Sequence, residues 1–85
     1  MMFCLMDLGP YVDAAGRVNF AFANVCGEDS WMTLCVKSWP PGRDGPSFDS
    51  YIKTIEGGSA VNITGGFWPE MEGYTWTEGG GQACP

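Results

Sequence analysis

Residues 17–39 carry the strongest pattern in the chain: two runs of alternating side chains separated by turn formers. In Arg17-Val18-Asn19-Phe20-Ala21-Phe22-Ala23-Asn24-Val25, an extended backbone puts Val18, Phe20 and Phe22 on one side and Asn19, Ala21 and Ala23 on the other. In Trp31-Met32-Thr33-Leu34-Cys35-Val36-Lys37-Ser38-Trp39, Met32, Leu34 and Val36 share one side; Trp31, Thr33, Cys35, Lys37 and Trp39 share the other. Gly27-Glu28-Asp29-Ser30 supplies the turn between them. The pattern predicts one long antiparallel hairpin at 17–39. An odd connection of three or five residues places Phe20 and Phe22 on the Leu34/Val36 side. An even one mixes the two sides, which a buried face selects against. The predicted core is therefore Val18, Phe20, Phe22, Met32, Leu34 and Val36.

The opposite side is unusual for a solvent face. It brings Trp31 and Trp39 together with Arg17, Lys37 and Thr33, a composition closer to a protein interface than to free surface. Two readings follow: a surface that a partner covers, with Arg17, Trp31, Thr33, Lys37 and Trp39 as its contacts, or the second buried face of a sandwich within the same chain.

Size sharpens the choice. A chain of 85 residues forms one domain, and one this small buries only about 60% of the surface its unfolded chain exposes. Such domains often rely on disulfides, a metal or an oligomeric partner. Residues 1–10 contain no Lys or Arg, and their apolar run stops at Asp7, short of a secretory signal with its basic start and roughly 7–15 apolar residues. The expectation is intracellular synthesis without a signal peptide, with Cys4, Cys26, Cys35 and Cys84 reduced and packed as small apolar residues. The chain has no histidine and no cysteine pair at zinc-finger spacing, so neither a metal nor a cofactor is expected. Self-association or a larger protein partner is left as the source of extra stability.

Ten acidic against four basic residues give a net charge of −6. Phosphate backbones and anionic membrane surfaces repel such a chain, so neither nucleic acid nor membrane is an expected partner. No apolar run approaches the roughly 20 residues needed to span a bilayer.

The remaining segments read as short strands and loops. Residues 2–6 suit an edge strand ended by Asp7-Leu8-Gly9-Pro10. Asp13-Ala14-Ala15-Gly16 suits a tight turn with a left-handed glycine, pairing Tyr11–Val12 with the start of the next strand. Pro40-Pro41-Gly42-Arg43-Asp44-Gly45-Pro46 cannot continue a ladder and forms a connecting loop. Residues 47–56 fit two templates. Phe48, Tyr51, Ile52 and Ile55 have helical spacing with Ser47 and Gly57 as caps, but Tyr-Ile-Lys-Thr-Ile is strand composition. Strand is preferred, with a hairpin through Gly57-Gly58-Ser59 into Ala60–Thr64. Asn62-Ile63-Thr64 is a glycosylation sequon, meaningful only if the chain is secreted. Phe67–Thr77 reads as a last hairpin or an aromatic loop, and residues 79–85 as a flexible Gly-rich tail after a single domain spanning 1–78. The expected fold is mostly β: a small antiparallel sandwich or barrel of roughly five to seven short strands, with a short helix at 47–56 as the variant.

Function is constrained mainly by exclusion. Without histidine, no Ser-His or Cys-His nucleophile can be assembled, and neither a glycine-rich nucleotide motif nor a phosphate loop occurs, so an enzyme is not expected. The leading expectation is a structural or interaction subunit that packs on copies of itself or on a larger assembly, for example as a minor or decorating component of a virus particle. The alternative is a small glycan- or ligand-binding module in which Trp68, Tyr74 and Trp76 stack on a flat ligand beside carboxylates. Against that alternative, the same rings can serve to fill the end of a small β core.

Overall fold

The computed structural model describes residues 3–80 and Cys84. Six strands run in order as β1 (Leu5–Val12), β2 (Arg17–Asn24), β3 (Ser30–Ser38), β4 (Ser47–Ile55), β5 (Ala60–Phe67) and β6 (Met71–Glu78), with a single 3₁₀ turn, Trp68–Glu70, before β6. They form two three-stranded antiparallel sheets, ordered β1-β2-β5 and β4-β3-β6. The protein is thus a mostly-β sandwich of six strands, and residues 47–55 are a strand, not a helix.

The predicted core is present in full. Val18, Phe20, Phe22, Met32, Leu34 and Val36 are all buried, joined by Leu5, Ile55 and Ile63. β2 and β3 are the central strands of their sheets, which is why their alternation is the cleanest in the sequence. The two inner faces interlock through rings: Phe20 lies 5.0 Å from Tyr74 and Phe22 lies 5.1 Å from Trp76 between centroids. Each such tilted pair adds about 1 kcal/mol to simple burial.

The long hairpin at 17–39 does not form. β2 pairs with β1 and β5, and β3 pairs with β4 and β6. The connection at residues 25–29 instead crosses from one sheet to the other. The physical reason is the buried side chain of Asn24. Its Nδ2 donates to the carbonyl oxygens of Glu28 (2.8 Å) and of Ile55 on β4 (2.9 Å), and its Oδ1 accepts from the Cys26 amide (2.9 Å). A buried amide in this position demands partners, and it finds them by folding the chain over the end of the core. The expected hairpin from 47–56 into 60–64 fails in the same way: β4 and β5 lie in different sheets, as do β5 and β6.

Two connections do turn within a sheet, β1 to β2 and, through residues 39–46, β3 to β4. β1 and β2 are joined at Asp13–Gly16, where the Gly16 amide donates to the Asp13 carbonyl (3.0 Å) and Gly16 takes a φ of 82°. The Asp13 carboxylate accepts from the amides of Ala15 and Arg17 and from the Asn19 side chain. These bonds, with that from Asn19 foremost, lower the pKa of Asp13. β1 itself runs through the predicted stop at Asp7–Pro10 by way of a bulge, which Asp7 Oδ1 steadies by accepting from the Gly9 amide (2.7 Å).

The expectation of free thiols is overturned. Cys4 is bonded to Cys26 and Cys35 to Cys84, leaving no free cysteine. Separations of 22 and 49 residues correspond to about 3 and 4 kcal/mol of lost chain entropy in the unfolded state. The first bond fixes the crossing at 25–29 to the start of β1. The second holds the end of the chain against the middle of β3. The predicted tail at 79–85 is therefore tethered at Cys84; residues 81–83 and 85 lie outside the described residues.

At the crossing, the 25–29 and 56–59 segments approach most closely at a pair of glycines. A Cβ on Gly57 would sit 2.5 Å from the Gly27 carbonyl group, closer than real atoms approach. Gly57→Ala is expected to destabilise the fold by about 1–3 kcal/mol in urea titrations. Gly66→Ala, where nothing lies within 4 Å, serves as the neutral comparison. Equal stabilities for the two variants would show that this contact is not close.

Candidate interaction surface

Side-chain alternation on β3 and β4 defines the outer face of the second sheet. β3 contributes Trp31, Thr33, Cys35 and Lys37; register pairs these with Thr54, Ile52, Ser50 and Phe48 of β4. The chain end covers part of this face. The Gly79 amide donates to the Trp31 carbonyl (2.7 Å), Thr33 Oγ1 donates to the Gly79 carbonyl (3.4 Å), and Cys84 is bonded to Cys35. Thr33 and Cys35 are consequently buried even though they point away from the core. Trp31 (44%), Phe48 (42%) and Ile52 (70%) remain exposed beside the covered strip, with Lys37 across from Phe48.

The outer face of the first sheet differs in chemistry. Asn19 Oδ1 accepts from Asn62 Nδ2 and Thr64 Oγ1, both at 2.8 Å, while its Nδ2 donates to Asp13 Oδ2 at 2.9 Å. The Tyr11 hydroxyl donates to Asn62 Oδ1 at 2.7 Å. Both polar residues of the sequon thus belong to a hydrogen-bonded network that satisfies itself. Exposed apolar side chains occur on both sheets: Met6, Leu8, Tyr11 and Val12 on β1 and Phe67 on β5, and Trp31, Phe48 and Ile52 on β3 and β4.

A second group of exposed rings gathers at the end of the sandwich that holds the 13–16, 39–46 and 68–70 connections. Trp39 donates its backbone amide to Glu70 O (2.7 Å) and its indole Nε1–H to Arg43 O (3.0 Å). The Trp68 amide donates to Gly16 O, and the Arg17 guanidinium lies 5.4 Å from the Phe67 ring centre. Trp39, Phe67 and Trp68 are all exposed.

The five predicted interface residues are therefore split. Trp31, Thr33 and Lys37 share the outer face of the second sheet, with Thr33 beneath the chain end. Trp39 stands past the end of β3, and Arg17 lies on the other sheet against Phe67. A single hairpin would put all five on one side; because the chain crosses between layers, the outer sides of β2 and β3 face opposite directions. Phe48 and Ile52 were missed as surface groups because helical and strand spacing competed over 47–56. The strand reading does place both on the side opposite Tyr51.

The predicted stacking residues are not brought together either. Trp68 is exposed at the loop end, whereas Tyr74 and Trp76 point inward onto Phe20 and Phe22. Tyr74 also joins the sheets by donating its hydroxyl to Asp7 Oδ2 at 2.7 Å. Alongside it, the Glu78 carboxylate accepts from the amides of Cys4 and Leu5. These bonds close the seam between β1 and β6. Among the described residues, no group of three or more acidic or cysteine side chains is arranged to hold a metal ion, and no helix is long and apolar enough to cross a membrane.

No protein-family model, curated protein or solved structure matches this chain.

The bond to Asp7, followed by burial and the Asp7 charge, pushes the Tyr74 hydroxyl from an ordinary 10.0 up to about 12. Folding thus favours the protonated phenol. That contribution is whole below pH 10 and is lost as pH rises through about 12. Denaturation midpoints measured from pH 9 to 12 should fall for the native sequence and less steeply for Tyr74→Phe. Parallel curves would show that the seam does not depend on this proton.

Proposed function

We propose that this protein is a non-enzymatic structural or interaction subunit that packs on copies of itself, within or upon a larger assembly such as a virus particle. The observation that carries this reading is the exposed apolar outer side of the second sheet, where Trp31, Phe48 and Ile52 stand beside the tethered chain end. A chain of this size has few ways to cover such a face internally, and a second molecule covers it without further sequence.

The two disulfides bear on where it works. Bonds of this kind persist in oxidising settings, including extracellular space, the periplasm and virion or cell surfaces. Pairing of all four cysteines therefore supports a role on the outside of a cell or particle, in place of the reduced interior that the isolated sequence led one to expect. The acidic net charge of −6 keeps the protein soluble and favours protein partners over nucleic acid or anionic lipid.

The glycan-binding alternative has less to stand on, since Tyr74 and Trp76 are occupied in the core. Light scattering over a hundredfold concentration range distinguishes the two. The subunit reading expects a mass that rises above the monomer with concentration, and tryptophan fluorescence that is indifferent to added oligosaccharides. A monomer at every concentration whose fluorescence responds to oligosaccharide would replace it with the ligand module.

A further inference from the structure

A sheet edge is a row of unpaired backbone groups, and proteins ordinarily blunt it with bulges, prolines, glycines or charges. Among the described residues, three of the four sheet edges are blunted. The β1 ladder is broken between Asp7 and Pro10, and Pro10 has no N–H. The β5 ladder shifts at its Arg17 end, beside Gly65 and Gly66. The β6 ladder shifts at its Ser38 end, and β6 is tied to β1 by Glu78 and Tyr74. Among the described residues, β4 alone keeps an unbroken register, from Ser47 to Ile55.

The charges on β4 have a particular placement. Asp49 and Lys53 lie on the core-facing side, two positions before and two after Tyr51, and both are exposed. A lone inward charge on an edge discourages pairing. An acid and a base spaced equally about a centre do the opposite in one register. With a two-fold axis at Tyr51, an antiparallel second copy sets its Lys53 across from Asp49 and its Asp49 across from Lys53. Ile52 then faces Ser50 of the second copy, and Phe48 faces Thr54, on the outer side. Both charge pairs are satisfied, as a two-fold interface requires.

We infer that β4 is the self-association edge: two copies pair β4 to β4, antiparallel and centred on Tyr51, joining their second sheets into one continuous sheet. This rests on the self-packing reading above and adds an edge contact beside the apolar face described there. The partner is a second copy and not an unrelated strand, because the sequence Asp-Ser-Tyr-Ile-Lys is complementary to itself when reversed. The joined sheet also makes one surface of the two exposed Phe48, Ile52 and Trp31 sets.

The test is a charge exchange, with the full chain, read by sedimentation velocity. Lys53→Asp leaves two acids on each edge, and Asp49→Lys leaves two bases; each variant alone is expected to dimerise about ten- to thirtyfold more weakly than the native protein. Mixed in equal amounts, the two variants pair acid edge against base edge, and the dimer should return. Recovery on mixing also shows that both variants are folded. If the native chain associates but neither variant changes its affinity, the β4 register is wrong while self-packing stands. Loss of the dimer without recovery on mixing also overturns the register. A native chain that is monomeric throughout removes both.

Discussion

The fold depends on a buried amide at the point where the chain leaves its first sheet. Asn24 ends β2 with its side chain sealed from solvent, bonded to the crossing at Glu28 and Cys26 and to the end of β4 at Ile55. An unpaired amide in that position costs on the order of 1–3 kcal/mol, so the local chain is bound to the geometry that satisfies it. That geometry sends residues 25–29 over the core instead of back alongside β2. The facing of Phe20 and Phe22 against Tyr74 and Trp76 follows. So does the need for a second tie at the same end, supplied by the Cys4–Cys26 bond and the glycine contact between residues 27 and 57.

Much of the local structure was legible in the letters. Period-two alternation identified every buried apolar residue of β2 and β3 that points inward, and Asp13–Gly16 announced its own turn. Sheet membership was not legible, for a definite reason. A hairpin and a crossing both bring Phe20 and Phe22 to the side of Leu34 and Val36, one within a sheet and the other across two. Alternation records which way a side chain points and is silent about which strand lies beside it. The discriminating signal was a polar residue, Asn24, at the end of an inward-facing row where an apolar one belongs. The disulfides were hidden similarly: their spacings are irregular because each joins segments that only the sheet crossings bring together. The Arg17–Phe67 contact required the β2–β5 pairing, which no local pattern encodes.

The candidate surface was half visible. Trp31 and Lys37 belong to it, but the hairpin assumption enlisted Arg17 and Trp39, which the sandwich sends elsewhere. Phe48 and Ile52 belong to it because β4 is an edge strand of the second sheet. The two layers differ in detail: the first carries the bonded Asn19–Asn62–Thr64 network among its exposed apolar groups, and the second is bordered by a strand of unbroken register. Gly79 and Cys84 lie over Thr33 and Cys35, with the Cys84 sulfur 3.9 Å from the Asp49 carbonyl oxygen, and among the described residues no strand other than β3 pairs with β4. In the proposed assembly the two disulfides stabilise the single copy and the β4 border supplies the contact between copies.

Backbone proximities in solution address the crossing itself most directly. In two-dimensional proton NMR, cross-strand contacts should join Phe20 to Ile63 and Phe22 to Val61 within one sheet, and Leu34 to Trp76 within the other. A continuous backbone ladder between residues 17–24 and 30–38 would contradict the two-layer arrangement and everything built on it.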